Sequence, residues 1–270
     1  MKKTIATILM GILLVSMFAG CSPKEVSSTT KLDAIKESGK LVIGTSAAYP
    51  PYEFHIMVDG VDTIVGFDIE IAKAIAEDLG VELEIKDMTF DAVLAGVNTG
   101  MIDLGVAGIT PTDERKESSD FSKVYYQAKQ AIIISKDSEN QITTIADLAG
   151  KTIGVQIGTT QEQMAMAIEG ATVKSLAKAA DLVLELKSNK IDAVMLELPV
   201  ATSYANQNPD LMVPETVEFE NTDSGSAIVA AKGETELIDA VNQTIDKLMS
   251  EGKIDQFVSE ATMLADQLQN

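Results

Sequence analysis

From residue 31 onward, apolar positions switch repeatedly between strand-like runs and helical stripes. Leu41-Val42-Ile43-Gly44 reads as a short strand. Ile69 to Leu79 sets Ile71, Ala72, Ile75 and Leu79 at helical spacing, and Gly80 stops the helix. Val81 to Ile85 alternates as a strand. Phe90 to Val97 is helical, Gly100 ends it, and Ile102 to Ala107 is a strand. A second set follows: strand Ala131–Ile134, strand Lys151–Gln156, helix Thr159–Ile168, strand Ala171–Ser175, helix Ala179–Leu186 and strand Ile191–Leu196. Pro199 opens a further helix, where its missing N–H does no harm. Ala227–Ala231 reads as a strand, followed by helices Glu234–Met249 and Ile254–Leu268 on either side of Gly252. Met57 to Ile64 reads as a hairpin turning at Asp59-Gly60. The order predicts an α/β protein of two lobes. Each is a mainly parallel sheet flanked by helices, with a cleft at the carboxyl ends of the strands.

The first thirty residues follow another pattern. Lys2 and Lys3 precede an apolar run, Ile5 to Phe18, and Ala19-Gly20 are small enough to flank a cleavage site. That is the layout of a secretory signal peptide over residues 1–20. A cleavage point ending on Cys21, the sole cysteine, resembles the lipobox of bacterial lipoproteins. The resemblance implies lipidation of Cys21 with a diacylglyceryl group (palmitate-type chains). It anchors the exported chain at the outer face of the cell membrane. Each buried methylene contributes about 0.8 kcal/mol, and two chains suffice for stable anchoring. An ordinary secreted protein with a stray cysteine is the other reading. Ser22 to Thr30 is small and polar, so residues 21–31 are read as a lipidated tether. No later apolar run is long enough to span a bilayer.

Charge narrows the partners. The chain carries −20, and removal of residues 1–20 with their two lysines takes it to −22. Such a surface repels nucleic acid and anionic headgroups. No GxxxxGK[ST] phosphate loop and no His/Cys metal motif occurs, so no cofactor and no metal are expected. The twelve methionines are scattered and read as core filler, and His55 as a surface residue.

Several segments then occur in a telling order: Gly44-Thr45, Tyr49-Pro50-Pro51-Tyr52-Glu53-Phe54, Val65-Gly66-Phe67-Asp68-Ile69-Glu70, Phe90-Asp91, Gly108 through Arg115 (GITPTDER), Asp120-Phe121-Ser122, Tyr125-Tyr126, Gly154 through Glu162 (GVQIGTTQE), Ile191-Asp192-Ala193-Val194 and Glu197 through Ala201 (ELPVA). The set closely resembles extracellular solute-binding proteins of family 3, the polar amino-acid receptors of bacterial ABC importers, over about residues 32–260. The resemblance implies the two-lobed, type II periplasmic-binding-protein-like fold. Lobe 1 would comprise residues 32–127 and 226–270, and lobe 2 residues 128–225. The chain would be a monomer that closes on a free amino acid about a hinge near Tyr126–Lys129 and Asp223–Ala227. It would then deliver the ligand to an ABC permease driven by its ATPase.

A free amino acid presents a carboxylate, an ammonium and a side chain, and each needs an answer. Arg115 offers a planar fork that pairs with a carboxylate through two hydrogen bonds. On charge pattern alone it also reads as a solvated helix charge beside Asp113, Glu114 and Glu117. The family motif implies the ligand role, with Thr110 adding its hydroxyl and N–H and Gly108 its backbone. Gly158-Thr159-Thr160-Gln161 lies at a helix start, where free N–H groups favour an anion and threonine commonly caps. The resemblance implies that the Thr160 N–H meets the ligand carboxylate with Gln161 close by. It also implies Glu197, at a strand's carboxyl end, as the acidic partner of the ammonium, where aspartate is more usual. Tyr49 and Phe90 match the family's aromatic walls (core packing being the other reading of Phe90), and the resemblance implies that Glu53 lies near the pocket mouth. Ser46 stands where several binders of cationic amino acids carry aspartate. Glu53, Glu197 and two aromatic walls nonetheless suit a cation, so arginine is expected first, and glutamine or histidine next. Two other classes share the scaffold. One is a small-acid dehydratase or lyase with Glu197 as general acid, for which the remaining catalytic inventory is missing. The other is a sensor that binds without transport.

Overall fold

The computed structural model describes residues 30–139, 141–219 and 225–267. The signal peptide, Cys21 and the tether up to residue 29 lie outside the described residues, as do Asp223 and Ser224 of the expected hinge.

The chain opens with helix Lys31–Ser38. Thr30 Oγ1 accepts from Asp33 N–H while the Asp33 carboxylate accepts from Thr30 N–H, a reciprocal cap. Thr30 and Lys31, whose polarity assigned them to the tether, thus cap and open this helix.

One sheet has five strands in the order Glu82–Asp87, Lys40–Thr45, Leu104–Gly105, Val229–Ala231, Ser119–Phe121. The first three run parallel. Val229–Ala231 returns from near the C-terminus and pairs antiparallel with both its neighbours. The run Ile102–Ala107 contributes a regular ladder only at Leu104–Gly105. Asp103 and Val106 N–H still donate to the Val42 and Gly44 carbonyls, at 2.8 and 2.9 Å. Helix Phe67–Leu79 buries Phe67, Ile69, Ile71, Ala72, Ile75 and Ala76 and ends at Gly80, in the left-handed region.

The second sheet runs Thr172–Leu176, Thr152–Gln156, Ala193–Glu197, Gln130–Ser135, Leu211–Met212. Its first three strands are parallel, and Gln130–Ser135 pairs antiparallel on both sides. All five residues of Ala193–Glu197 are buried, as expected for a central strand covered on both faces. Helix Leu198–Gln207 follows it directly, with Pro199 in its first turn.

The two halves are joined by a ribbon in which Tyr126–Gln127 pairs antiparallel with Gly225–Ser226. The last helix, Lys253–Gln267, reaches across to Leu198–Gln207: Asn206 Nδ2 donates to Asp266 at 3.1 Å and Gln207 Nε2 to the Ala265 carbonyl at 3.4 Å. The expected hairpin forms from Glu53–Val58 and Val61–Val65, with Asp59 and Gly60 both at positive φ, 51° and 80°. Among the described residues, no helix is long and apolar enough to cross a membrane.

Candidate functional site

A small, partly enclosed cavity lies between the two sheets. Its wall holds eight of the residues expected from sequence: Tyr49, Glu53, Phe90, Gly108, Thr110, Arg115, Thr160 and Gln161. Ser46, Ala107, Gln156 and Thr159 complete it.

One side is built from loops that leave the carboxyl ends of the first sheet's strands. Thr112 caps helix Asp113–Ser118 by accepting from Arg115 N–H at 3.2 Å, which fixes where the Arg115 side chain starts. Its Nη1 donates to the Thr110 carbonyl at 2.7 Å, and its Nη2 crosses the cleft to the Gly158 carbonyl at 2.8 Å. The guanidinium carbon lies 5.4 Å from the Phe90 ring centroid, a cation–π distance. Desolvation lowers the Arg115 pKa, but an arginine keeps its charge through such a change. Arg115 is therefore a cation held by neutral partners, with the fork still able to meet an anion.

The other side is the start of helix Thr160–Met166, capped by Thr159 Oγ1 accepting from Glu162 N–H at 3.3 Å. Thr159 supplies the cap, so Thr160 is the first helical residue, where N–H groups lack intrahelical partners. Gln161 Nε2 donates to Gln130 Oε1 at 2.9 Å, which turns the Gln161 amide toward the second sheet.

Glu197 departs from the expectation. It is not part of the cavity wall, and only 4 % of its surface is exposed. Its carboxylate accepts from the Tyr52 hydroxyl, and its backbone N–H donates to Tyr49 Oη at 3.3 Å. The glutamate is thus engaged by Tyr52 through its carboxylate and by Tyr49 through its backbone, just outside the cavity wall. Burial pushes its acid up to about 7, against the lowering effect of the Tyr52 bond and with a further push from Asp68. Glu53, expected at the mouth, is instead 1 % exposed. Burial first, then Asp68, Glu197 and Asp87, hold its pKa well above the usual carboxylate range.

Asp68 is the residue that sequence reasoning missed. It is fully buried, accepts from Tyr125 Oη at 2.8 Å and from Gly108 N–H at 2.9 Å, and has its acid raised to about 6 by burial. The signal was present, because Asp68 and Tyr52 stand inside the ordered motifs, but those motifs give neither residue a role in the site. Direct links across the cleft also went unseen: Gln156 Nε2 to Ser46 Oγ at 3.3 Å and Tyr204 Oη to the Ala48 carbonyl at 2.8 Å. His55 is exposed and contacts Asp62 and Asp87, away from the cavity. Among the described residues, no group of three or more His, Cys, Asp or Glu side chains is arranged to hold a metal ion.

Two lobes with a polar cavity between them define a solute-binding architecture. Residues 41–261 match the bacterial extracellular solute-binding proteins, family 3, and the chain belongs to that family. It is 37% identical over 247 residues to the arginine-binding extracellular protein ArtP of Bacillus subtilis, covering 90% of this chain and 94% of that protein. It is 32% identical to the L-cystine-binding protein TcyJ of Escherichia coli, covering 96% of this chain and 95% of that protein. Among solved structures it resembles the amino acid ABC transporter substrate-binding protein AbpA of Streptococcus pneumoniae bound to L-arginine. The TM-score is 0.84 at 42% identity, covering 86% of this chain and 98% of that one. The fold is the two-lobed periplasmic-binding-protein fold. The chain is thus an amino-acid-binding component of the ABC-importer type, in a family of solute-binding transport proteins.

Proposed function

We propose that this protein is the substrate-binding lipoprotein of an amino-acid ABC importer and that it captures a basic amino acid, L-arginine first. The observation that carries the reading is the polarity of the cavity. Arg115 and Glu53 share its wall, and the acids Asp68 and Glu197, buried outside that wall, lie close enough to Glu53 to hold its pKa up. Arg115, with Thr110 and the Thr160 N–H, receives the ligand carboxylate. Glu53 receives the side-chain cation between the Tyr49 and Phe90 rings. Glu197 answers the ammonium with the carboxylate oxygen that Tyr52 leaves free, with the Gly108 carbonyl beside it. Gln161 offers a polar side-chain contact. The arginine-binding relatives support the side-chain assignment, and glutamine and histidine are the next candidates.

Residues 32–127 and 226–270 form one jaw and residues 128–225 the other, with the Tyr126–Gln127 and Gly225–Ser226 ribbon as hinge. Ligand touches both jaws, so it favours the closed form through its differential affinity for that state. The closed monomer then meets an ABC permease. Cys21 carries the lipid that holds the chain at the membrane. No residue of the cavity is assigned a catalytic role.

A thermal-shift screen of the twenty amino acids tests this reading, because a ligand that binds the native state raises its melting temperature. Arginine should give the largest rise. A flat response to all twenty would refute it. For the anchor, Cys21→Ser should release the chain from the membrane fraction, and retention there would refute lipidation.

A further inference from the structure

Two carboxyl groups meet beneath the cavity. Glu53 opens its strand on the cavity wall, and Asp68 sits buried in the first turn of helix Phe67–Leu79. Asp68 N–H donates at 3.1 Å to the carbonyl of Tyr52, the residue before Glu53, which sets the two acids side by side in the core. Two neighbouring buried carboxyls do not both ionise without a cation, so one of them keeps a proton. The two Asp68 oxygens already accept from Tyr125 Oη and Gly108 N–H, which favours the ionised form there. Oε2 of Glu53 receives no hydrogen bond from the protein. The proton therefore resides mainly on Glu53.

Among the described residues, no cation is paired with either carboxyl. The groups that face the pair are Glu197 from strand Ala193–Glu197, Asp87 from strand Glu82–Asp87, and the hydroxyls of Tyr49, Tyr52 and Tyr125. The Ser46 backbone N–H favours an ionised Glu53. Among the described residues, no ion pair involves Glu53, Asp68 or Glu197. His55, two residues further along the strand, is exposed and contacts Asp62 and Asp87. Arg115 is tied to the Thr110 and Gly158 carbonyls.

We propose that Glu53 and Asp68 share one proton in the empty site and that a cationic ligand side chain expels it, so that the site reads ligand charge by exchanging a proton for a cation. The inference rests on the reading of this cavity as an amino-acid site. On binding, the O–H bond of Glu53 breaks, the proton passes to the buffer, and the ligand cation becomes the carboxylate's partner. The buried charge is then the same before and after. A neutral side chain leaves the proton in place, and Glu53 can donate it to an amide oxygen. The pair titrates as a unit, so the exchange belongs to both residues.

Calorimetric titration at pH 7 in two buffers of different ionisation enthalpy counts the protons released. L-arginine is compared with L-citrulline, a neutral ligand of the same length. Both carry the same ammonium and carboxylate, so any proton lost from Glu197 appears in both and cancels. Arginine should release about one proton more than citrulline. Asp68→Asn should cut the arginine release to less than half. If citrulline fails to bind, wild type against Asp68→Asn makes the comparison, and if the variant fails to fold, the two ligands do. Arginine that binds without releasing more protons than its comparator overturns the shared proton. Arginine that does not bind at all removes the arginine reading on which the proposal rests.

Discussion

The Tyr52 hydroxyl donates to the Glu197 carboxylate, joining side chains 145 positions apart in sequence and on opposite sides of the cleft. Tyr52 is itself fixed, fully buried with its ring centroid 4.3 Å from that of Phe67. The bond thus ties the charge of the second sheet's central strand to the first lobe. It acts with the Gln156–Ser46 and Tyr204–Ala48 links to hold the cleft closed.

Tyr52→Phe removes that donor and leaves a buried carboxylate one bond short. Such a loss costs about 1–3 kcal/mol. Calorimetry should show arginine affinity lowered by roughly fivefold or more, and an unchanged affinity would detach Tyr52 from the site.

The same burial sets a pH dependence. The Glu197 pKa rises from an ordinary 4.5 to about 7 in the folded chain. Between those values the native state keeps a proton that the unfolded chain has released. Its contribution to stability is therefore full below pH 4.5 and is lost as pH rises through about 7. The change amounts to roughly 3 kcal/mol. The ligand-free protein should melt at a higher temperature at pH 5 than at pH 7.5, and Glu197→Gln should flatten that trend. A wild-type melting temperature that rises across this interval would contradict the burial argument.

Periodicity fixed where most elements fall, because the apolar stripe of Phe67–Leu79 and the runs at Thr152–Gln156 and Ala193–Glu197 are local signals. It could not give strand direction. Val229–Ala231 reads like any buried strand, yet its antiparallel place depends on a chain that has crossed to the second sheet and returned. The cavity wall was legible at eight positions because ordered motifs carry them. The orientation of Glu197 toward Tyr52 and the meeting of Asp68 with Glu53 were not. Both depend on how side chains from distant segments meet, and neither has a spacing that sequence displays.

Arg115→Lys keeps the charge and loses the planar fork, which now spans from Thr110 to Gly158. Lysine offers a point charge with no bidentate geometry. Arginine affinity should fall about tenfold or more by calorimetry, and wild-type affinity in this variant would exclude a fork-like grip on the ligand.

Gly66 is held at φ 130°, and a Cβ there would lie 2.0 Å from the Tyr52 carbonyl oxygen and 2.9 Å from the Glu53 nitrogen. That approach is what lets Phe67 and Asp68 N–H donate to the Pro51 and Tyr52 carbonyls, both at 3.1 Å. Gly66→Ala should destabilise by about 2 kcal/mol or more, read as a melting temperature lower by roughly 4 °C or more. A variant as stable as wild type would mean that the Tyr49–Glu53 loop does not depend on this contact.

A crystal structure of the complex with L-arginine is decisive for a ligand held end to end between a guanidinium and buried acids. The ligand carboxylate should lie on the Arg115 fork and the ligand guanidinium on Glu53. A ligand bound in the reverse direction, or outside this cavity, would refute that arrangement.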